Sequence, residues 1–266
     1  MSDAVLFTVE EGMARLTLNR PARLNAFNAD LAHAWKDATA EATTRPDVKA
    51  ILIDASGPAF CAGGDVIDMA TTMGGSGSEI AALAEVINAG IRSLTESAVP
   101  VVVAAHGTTA GGGLGIMLAS DYAVVGSRSR IGSLYANIGL TPDLSVTAQL
   151  AHAVGQRRAL QLVLQDRLLT AEESVDWGLV AETVEGADAA TEAELVRARG
   201  EEIARFWLAG AAHAYGQAKR LIRSRPERSF AEQLSEEARS IGAALETPDA
   251  RARVAAFAAA SAKKAG

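Results

Sequence analysis

Apolar residues along the first half of the chain follow two different periods. Alternating or unbroken apolar runs predict strands at residues 5–8, 14–18, 51–54, 101–105 and 122–125, with Glu11-Gly12 turning the first two into a hairpin. Apolar positions three and four residues apart predict a helix over residues 30–43, and further helices are expected over residues 79–97 and up to Ala119. Strands that alternate with helices indicate an α/β core.

Helical patterns dominate from Ser145 onward. Thr170 with Glu173, and Ser229 with Glu232, have the spacing of capping boxes, and Thr247-Pro248 predicts a further helix start. We therefore predict a core over residues 1–200 and a C-terminal helical region over residues 201–266. That region carries apolar residues that a partner subunit is expected to bury: Leu234, Ile241, Leu245, Val254 and Phe257.

The composition changes this picture little, but it excludes some classes of partner. The 266 residues are 49% hydrophobic and 21% charged, and a net charge of −7 argues against nucleic acid or an anionic membrane as the main partner. Residues 97–120 carry no charge, yet Pro100 and several glycines indicate buried core rather than a membrane span.

The acidic N-terminus is unlike a signal peptide, and the single cysteine suits a reducing compartment, so a cytoplasmic location is expected. Cys61 is expected to be a small buried side chain rather than a reactive thiol.

Two glycine-rich segments follow predicted strands and carry the candidate chemistry. We call residues 60–65 (Phe-Cys-Ala-Gly-Gly-Asp) the first glycine corner and residues 110–115 (Ala-Gly-Gly-Gly-Leu-Gly) the second. Either corner alone favours a plain turn, and neither matches a dinucleotide or P-loop motif. Together, two strand-to-helix corners that face each other would point two backbone N–H groups at one oxygen, which is an oxyanion hole.

At these residues the chain resembles the crotonase (enoyl-CoA hydratase/isomerase) superfamily. The resemblance continues in order through the segments 16–26, 106–107, 120–121, 138–143, 154–159 and 176–180. It implies a right-handed ββα spiral core followed by C-terminal helices that build a trimer or a dimer of trimers. It also implies an acyl-CoA thioester as substrate, so that coenzyme A enters as part of the substrate and no cofactor is permanently bound.

The resemblance assigns binding roles to both glycine corners. The oxyanion donors would be the N–H groups of Gly64 and Gly112. The positions matching the coenzyme A contacts of the family are Arg23, Leu24, Ala62, Asp65 and Val66. A solvated surface arginine remains the alternative for Arg23.

The acid–base groups depart from the family pattern. The two glutamates of the hydratases are replaced by Gly115 and Tyr135, so their mechanism of water addition is not available as it stands. Asp143 matches an aspartate that acts in phenylacetate-pathway isomerases and is the nucleophile position of 4-chlorobenzoyl-CoA dehalogenase. Dehalogenation is not expected, because Asn88, Tyr135 and Gly64 stand where that enzyme has its other key residues. Asp143 also fits the cap of a following helix, and Tyr135 fits substrate binding or simple packing.

Three functional hypotheses follow. The favoured one is an enoyl-CoA isomerase that moves a proton with Asp143 alone. The second is a hydratase or an acyl-CoA hydrolase in which Asp143 activates water. The third is a crotonase-like scaffold that binds acyl-CoA or RNA without turnover, although the acidic charge opposes RNA. No histidine has metal-ligand spacing and His106 is expected to be structural, while residues 69–85 are interpreted as either a mobile lid or a linker.

Overall fold

The computed structural model describes residues 3–71, 76–165 and 167–265, with side chains to residue 263. Its first part contains β1 (Val5–Glu10), β2 (Met13–Leu18), α1 (Ala29–Thr44), β3 (Ala50–Ala55), α2 (Val66–Thr71), α3 (Gly77–Glu96), β4 (Val101–Ala105), β5 (Thr108–Ala110), α4 (Gly112–Ala119), β6 (Tyr122–Gly126) and β7 (Arg130–Gly132). Its second part contains α5 (Val146–Val154), α6 (Gln156–Leu164), β8 (Leu169–Thr170), α7 (Ala171–Asp176), β9 (Glu182–Val184), α8 (Ala189–Ala209), α9 (Ala212–Arg223), α10 (Phe230–Glu246) and α11 (Pro248–Ala265).

The larger sheet has six strands in the order β1-β2-β3-β4-β6-β9. The β1–β2 hairpin is antiparallel and all later neighbours are parallel. Alternate residues of β3 and β4 face opposite sides: Ile51 and Val103 join the core with α1 and α3, whereas Leu52 and Val102 pack beneath α8. Both faces of the sheet are therefore covered, which explains the unbroken apolar runs.

A second, three-stranded sheet lies beyond the ends of these strands, in the order β5-β7-β8. An isolated bridge between Cys61 and Thr109 adds the first glycine corner to its edge. Each turn of the chain thus passes from a strand of the large sheet to a segment of the small sheet and then to a helix, as in β4-β5-α4. This is the ββα spiral that the resemblance implied. The small strands were not predicted, since two or three residues are too few to show a period.

Most of the longer elements that the sequence predicted are present. The Glu11-Gly12 turn joins β1 to β2, and both residues have positive φ. Both capping boxes form, at Thr170 with Glu173 and at Ser229 with Glu232. The Thr247 hydroxyl accepts a bond from the Ala250 N–H at 3.2 Å, as the start of α11 requires. Residues 72–75 of the expected lid lie outside the described residues, so the lid remains a prediction.

The C-terminal helices are tied to the core through α9 and are exposed beyond it. Lys219 of α9 is buried and donates to the carbonyls of Leu94 and Val99, both at 2.7 Å, while it pairs with Asp121 at 3.0 Å. Residue 200, the predicted boundary, falls within α8. The division into a core and an oligomerisation region stays a prediction. Within the described ranges, no helix is both long and apolar enough to cross a membrane.

Candidate active site

The first glycine corner is held by backbone bonds and by an ionic clamp. Phe27 accepts a bond from the Asp65 N–H and donates one to the Gly63 carbonyl, both at 2.8 Å, so that Gly64 lies between them. The Asp65 carboxylate is buried and binds two arginines, Arg23 at 2.6 Å and Arg20 at 3.1 Å. The Arg23 guanidinium holds the pKa of Asp65 at about 2. Asp65 is thus an ionised structural anchor at neutral pH.

The second glycine corner is held by close packing. Gly111 has a φ of 52° and its N–H donates to the carbonyls of Gly132 and Ser133, a conformation that suits glycine. Gly112 then begins α4. A Cβ on Gly113 would lie 2.8 Å from the Cβ of Cys61 and even closer to its carbonyl oxygen, so the helix packs directly on the first corner.

The two corners meet at the backbone. A Cβ placed on Gly63 would lie 3.6 Å from the Gly112 nitrogen, and one placed on Gly112 would lie 3.8 Å from the Gly63 Cα. Among the described residues, the N–H groups of Gly64 and Gly112 have no hydrogen-bond acceptor. Two free backbone donors beside each other, one of them at the start of α4, can stabilise an oxyanion.

Tyr135 and Asp143 form a hydrogen-bonded pair beside the second corner. The Tyr135 hydroxyl donates to Asp143 Oδ1 at 2.6 Å, and its Cζ lies 3.8 Å from the position of a Cβ on Gly111. Burial raises the pKa of Asp143, against the opposing effect of the tyrosine bond, and burial together with the Asp143 charge raises the pKa of Tyr135. The Asp143 side chain does not cap α5, whose N-cap residue is Ser145. The alternative interpretation of Asp143 as a helix cap is therefore not supported.

The coenzyme A positions lie around the first corner. Leu24 has a positive φ and its carbonyl accepts a bond from the Ala62 N–H at 3.0 Å. The side chains of Arg23, Leu24 and Val66 are each about two-fifths to one-half exposed, so all three are accessible to a ligand. Asp65 differs from these, because its carboxylate faces the two arginines.

Two further expectations concern side chains near the corners. Cys61 is buried, and burial raises its pKa to about 12, as expected for an unreactive thiol. His106 is buried and its Nε2 donates to the Gly57 carbonyl at 2.7 Å, which fits the structural role predicted for it. In the part of the chain that the structure describes, no group of three or more His, Cys, Asp or Glu residues is arranged to hold a metal ion.

Residues 8–262 match the model of the enoyl-CoA hydratase/isomerase family. The chain belongs to this family. It is 32% identical over 187 residues to 1,2-epoxyphenylacetyl-CoA isomerase of Escherichia coli, covering 70% of this chain and 71% of that protein. It is 31% identical over 253 residues to a probable enoyl-CoA hydratase of Rhodobacter capsulatus, covering 95% and 94%.

A solved structure gives the same result for the fold. The putative enoyl-CoA hydratase/isomerase of Mycobacterium abscessus superposes with a TM-score of 0.88 at 28% identity, over 96% of each chain. The crotonase-like fold predicted from the motifs is thereby confirmed, and the protein is an enzyme of the enoyl-CoA hydratase/isomerase family. The family acts on coenzyme A thioesters.

Sequence reasoning missed three contributors to the site. Arg20 completes the clamp on Asp65, Met69 lies against Gly64, and Leu144 lies against Gly112. The Arg-Pro pair at 20–21 was visible as a motif, but nothing in it points to Asp65, 45 residues away. Leu144 gave no signal at all, because a single leucine next to an aspartate is typical of many helix starts.

Proposed function

We propose that the protein isomerises the double bond of an enoyl-CoA thioester, with Asp143 as the only proton-transfer group. The contrast between two carboxylates near the glycine corners carries the proposal. Asp65 is locked as an anion by two arginines, whereas Asp143 has a raised pKa and a neutral hydrogen-bond donor as its partner. A carboxylate whose pKa is raised by burial is a stronger base than an ordinary aspartate, and once protonated it can return the proton as an acid.

The steps follow from this arrangement. The thioester oxygen accepts hydrogen bonds from the N–H groups of Gly64 and Gly112. Tyr135 occupies Oδ1 of Asp143, so Oδ2 takes a proton from one carbon of the acyl chain. The resulting dienolate is stabilised at the oxygen by the two amides. Asp143 then returns the same proton to the carbon two positions away, and the double bond has moved without loss or gain of atoms.

We propose that coenzyme A lies along the first corner. The Ala62 carbonyl accepts no hydrogen bond among the described residues and is available to the adenine amino group. Leu24 and Val66 offer exposed apolar surface beside it, and Arg23 offers cationic charge although Asp65 shares it. A thioester of pantetheine lacks the nucleotide. Arg23→Gln should therefore raise KM for the coenzyme A thioester and leave KM for the pantetheine thioester unchanged; an equal rise in both would contradict this role.

The reaction is tested by a substrate screen. Trans-2-, cis-3- and trans-3-enoyl-CoA and aryl-CoA thioesters are offered, and absorbance and product mass are recorded. Isomerisation keeps the mass, hydration adds one water, and hydrolysis releases the free thiol. A water adduct as the main product would replace our proposal by the hydratase hypothesis, for which the probable hydratase of Rhodobacter capsulatus is a precedent, and free thiol would replace it by the hydrolase hypothesis.

Asp143→Asn tests the proton-transfer role. Asparagine keeps the size of the side chain but cannot carry the proton, so turnover should fall at least about a hundredfold, with acyl-CoA affinity nearly unchanged. Asp37→Asn, an exposed aspartate on α1, is the matched control. Full activity of a folded Asp143→Asn enzyme would assign the chemistry to another group.

We propose that α10 and α11 assemble the protein into a trimer or a dimer of trimers. Phe230, Leu234, Ile241 and Leu245 of α10 are at least half exposed and recur on one helix face, and Phe257 of α11 is 75% exposed. Such apolar helix surface calls for a partner. Light scattering at micromolar concentration should show the mass of three or six chains; a monomer would exclude the assembly.

A further inference from the structure

Leu144, the residue after Asp143, packs directly on α4. A Cβ on Gly112 would lie 2.8 Å from Leu144 Cδ1, and a Cβ on Gly115 would lie 3.0 Å from Leu144 Cβ and closer still to its carbonyl oxygen. Gly112 and Gly115 are three residues apart, so they lie on one face of the helix. The absence of a side chain at both positions makes room for Leu144.

The backbone around Leu144 is strained. Leu144 and Ser145 have φ values of 48° and 67°, and the Val146 N–H donates to the Asp143 carbonyl at 3.0 Å. Two left-handed residues inside such a bond are the signature of a type I′ turn, in which asparagine and glycine are preferred. Leucine and serine adopt this conformation only where the surroundings impose it. The Leu144–Ser145 turn is therefore held in place by its contacts.

A second contact reaches the turn from α5 and α9, through Ser145. Gln149 Nε2 donates to Ser145 Oγ at 2.6 Å, and Arg223 Nη1 of α9 donates to Gln149 Oε1 at 2.6 Å. Arg223 is itself paired with Asp121. The turn thus has two supports: the glycine face of α4 contacts Leu144, and Gln149 links Ser145 to Arg223, which also binds carbonyls at the C-terminal end of α4.

We propose that the Leu144–Ser145 turn positions the Asp143 carboxylate, and that a side chain at position 115 and a working Asp143 exclude one another. Position 115 matches the place of a hydratase glutamate. Any side chain there must displace the Leu144 carbonyl, and the peptide that moves belongs to the turn next to Asp143. Leu144 fills the space that a glutamate at position 115 would need. The site is therefore a separate arrangement, and not a hydratase site that has merely lost a glutamate. This inference rests on the proposed function, since it assumes that Asp143 transfers the proton.

Gly115→Ala adds one methyl group at the contact and is the direct test. We expect kcat for the isomerised enoyl-CoA to fall about a hundredfold, as for a misplacement of about 1 Å, with little change in KM. The titratable group in contact with Asp143 is Tyr135, and Cys61 lies near Tyr135. Because the substitution moves Asp143 away from the Tyr135 hydroxyl, the acid limb of the kcat pH profile should shift. Gly242→Ala in α10, where no atom lies within 4 Å of the new Cβ, is the matched control and should behave as the wild type.

Gly115→Glu tests the exclusion. We expect loss of isomerisation and no product heavier by one water. A folded Gly115→Glu variant that still isomerises the substrate, with or without hydration, would overturn the exclusion, since a side chain at position 115 would then coexist with a working Asp143.

Gln149→Met tests the turn through its Ser145 contact and adds no side chain to α4. It removes the bond to Ser145 at similar side-chain size, and kcat should fall about tenfold at unchanged KM. If Gly115→Ala does not fold, Gln149→Met alone tests whether the turn positions Asp143. Wild-type kcat and pH profile in either folded variant would overturn the positioning role, even if the melting temperature falls. The proposed function itself fails if Asp143→Asn remains active, or if the wild-type enzyme gives mainly a water adduct or free thiol, so its failure is distinguishable from that of the positioning role.

Discussion

The two glycine corners present the same donor group and are stabilised in opposite ways. The first depends on charge: Asp65 binds Arg20 and Arg23, and the flexible end of Met69 lies over Gly64. The second depends on fit: Gly113 and Gly115 contact the backbones of Cys61 and Leu144. Coulomb attraction changes slowly with distance, whereas atoms in close contact cannot approach further without overlap. One half of the candidate oxyanion hole should therefore respond to pH and the other half to volume.

The largest expected effect comes from the removal of a donor at the second corner. Gly112→Pro deletes the N–H group at the first position of α4, and its ring also meets Leu144, a contact that Gly112→Ala reproduces while it keeps the N–H group. Turnover should fall about a hundred- to a thousandfold, the usual result when one oxyanion donor is lost. Ala189→Pro, at the exposed first position of α8, is the control. A folded Gly112→Pro enzyme with the wild-type rate would show that the Gly112 N–H is not an oxyanion donor.

A matched pair of substitutions tests how tightly each corner is packed, because each adds one methyl group. Gly113→Ala forces a methyl group against the Cys61 backbone and should lower the free energy of unfolding by about 1–3 kcal/mol. The methyl group of Gly64→Ala meets only the end of Met69, which can rotate away. This variant should lower the free energy of unfolding by less than about 1 kcal/mol. Urea denaturation of both variants measures the difference. Equal losses would mean that the first corner is as tightly packed as the second.

The smallest effect is a pH dependence of opposite sign at Asp65 and Asp143. The folded-state pKa of Asp65 is lowered, so its stabilisation is present above the unfolded pKa and is lost as the pH falls toward about 2. The pKa of Asp143 is raised, so its stabilisation is present at low pH and is lost as the pH rises through the folded pKa. At neutral pH, Asp65→Asn should lower the melting temperature and Asp143→Asn should raise it. Both differences should shrink in acid; shifts of the same sign would contradict the comparison.

The sequence predicted the elements whose signals are local and long. The β1–β2 hairpin, α1, β4 and the capping boxes of α7 and α10 each rest on neighbouring residues. The small sheet and the Leu144 contact rest on residues that are distant in the chain, and a two-residue strand such as β8 carries no period. The glycine corners were identified because two of them occur together and match the ordered motifs of a known family, although either alone favours a plain turn. The sequence did not predict which residues pack against those glycines, namely Cys61 against Gly113 and Leu144 against Gly112 and Gly115.

Hydrogen bonds of the small sheet join the two corners to each other in a fixed alignment. Cys61 donates to Thr108 and accepts from Ala110, so the first corner is paired with β5 like a neighbouring strand. A shift of one residue in such a pairing turns every side chain and N–H group to the opposite face. Single insertions and deletions in either corner would therefore destroy the hole, whereas substitutions around it leave the donors in place. Within this frame the same pair of amides can serve different acid and base groups, subject to the exclusion between a side chain at position 115 and Asp143.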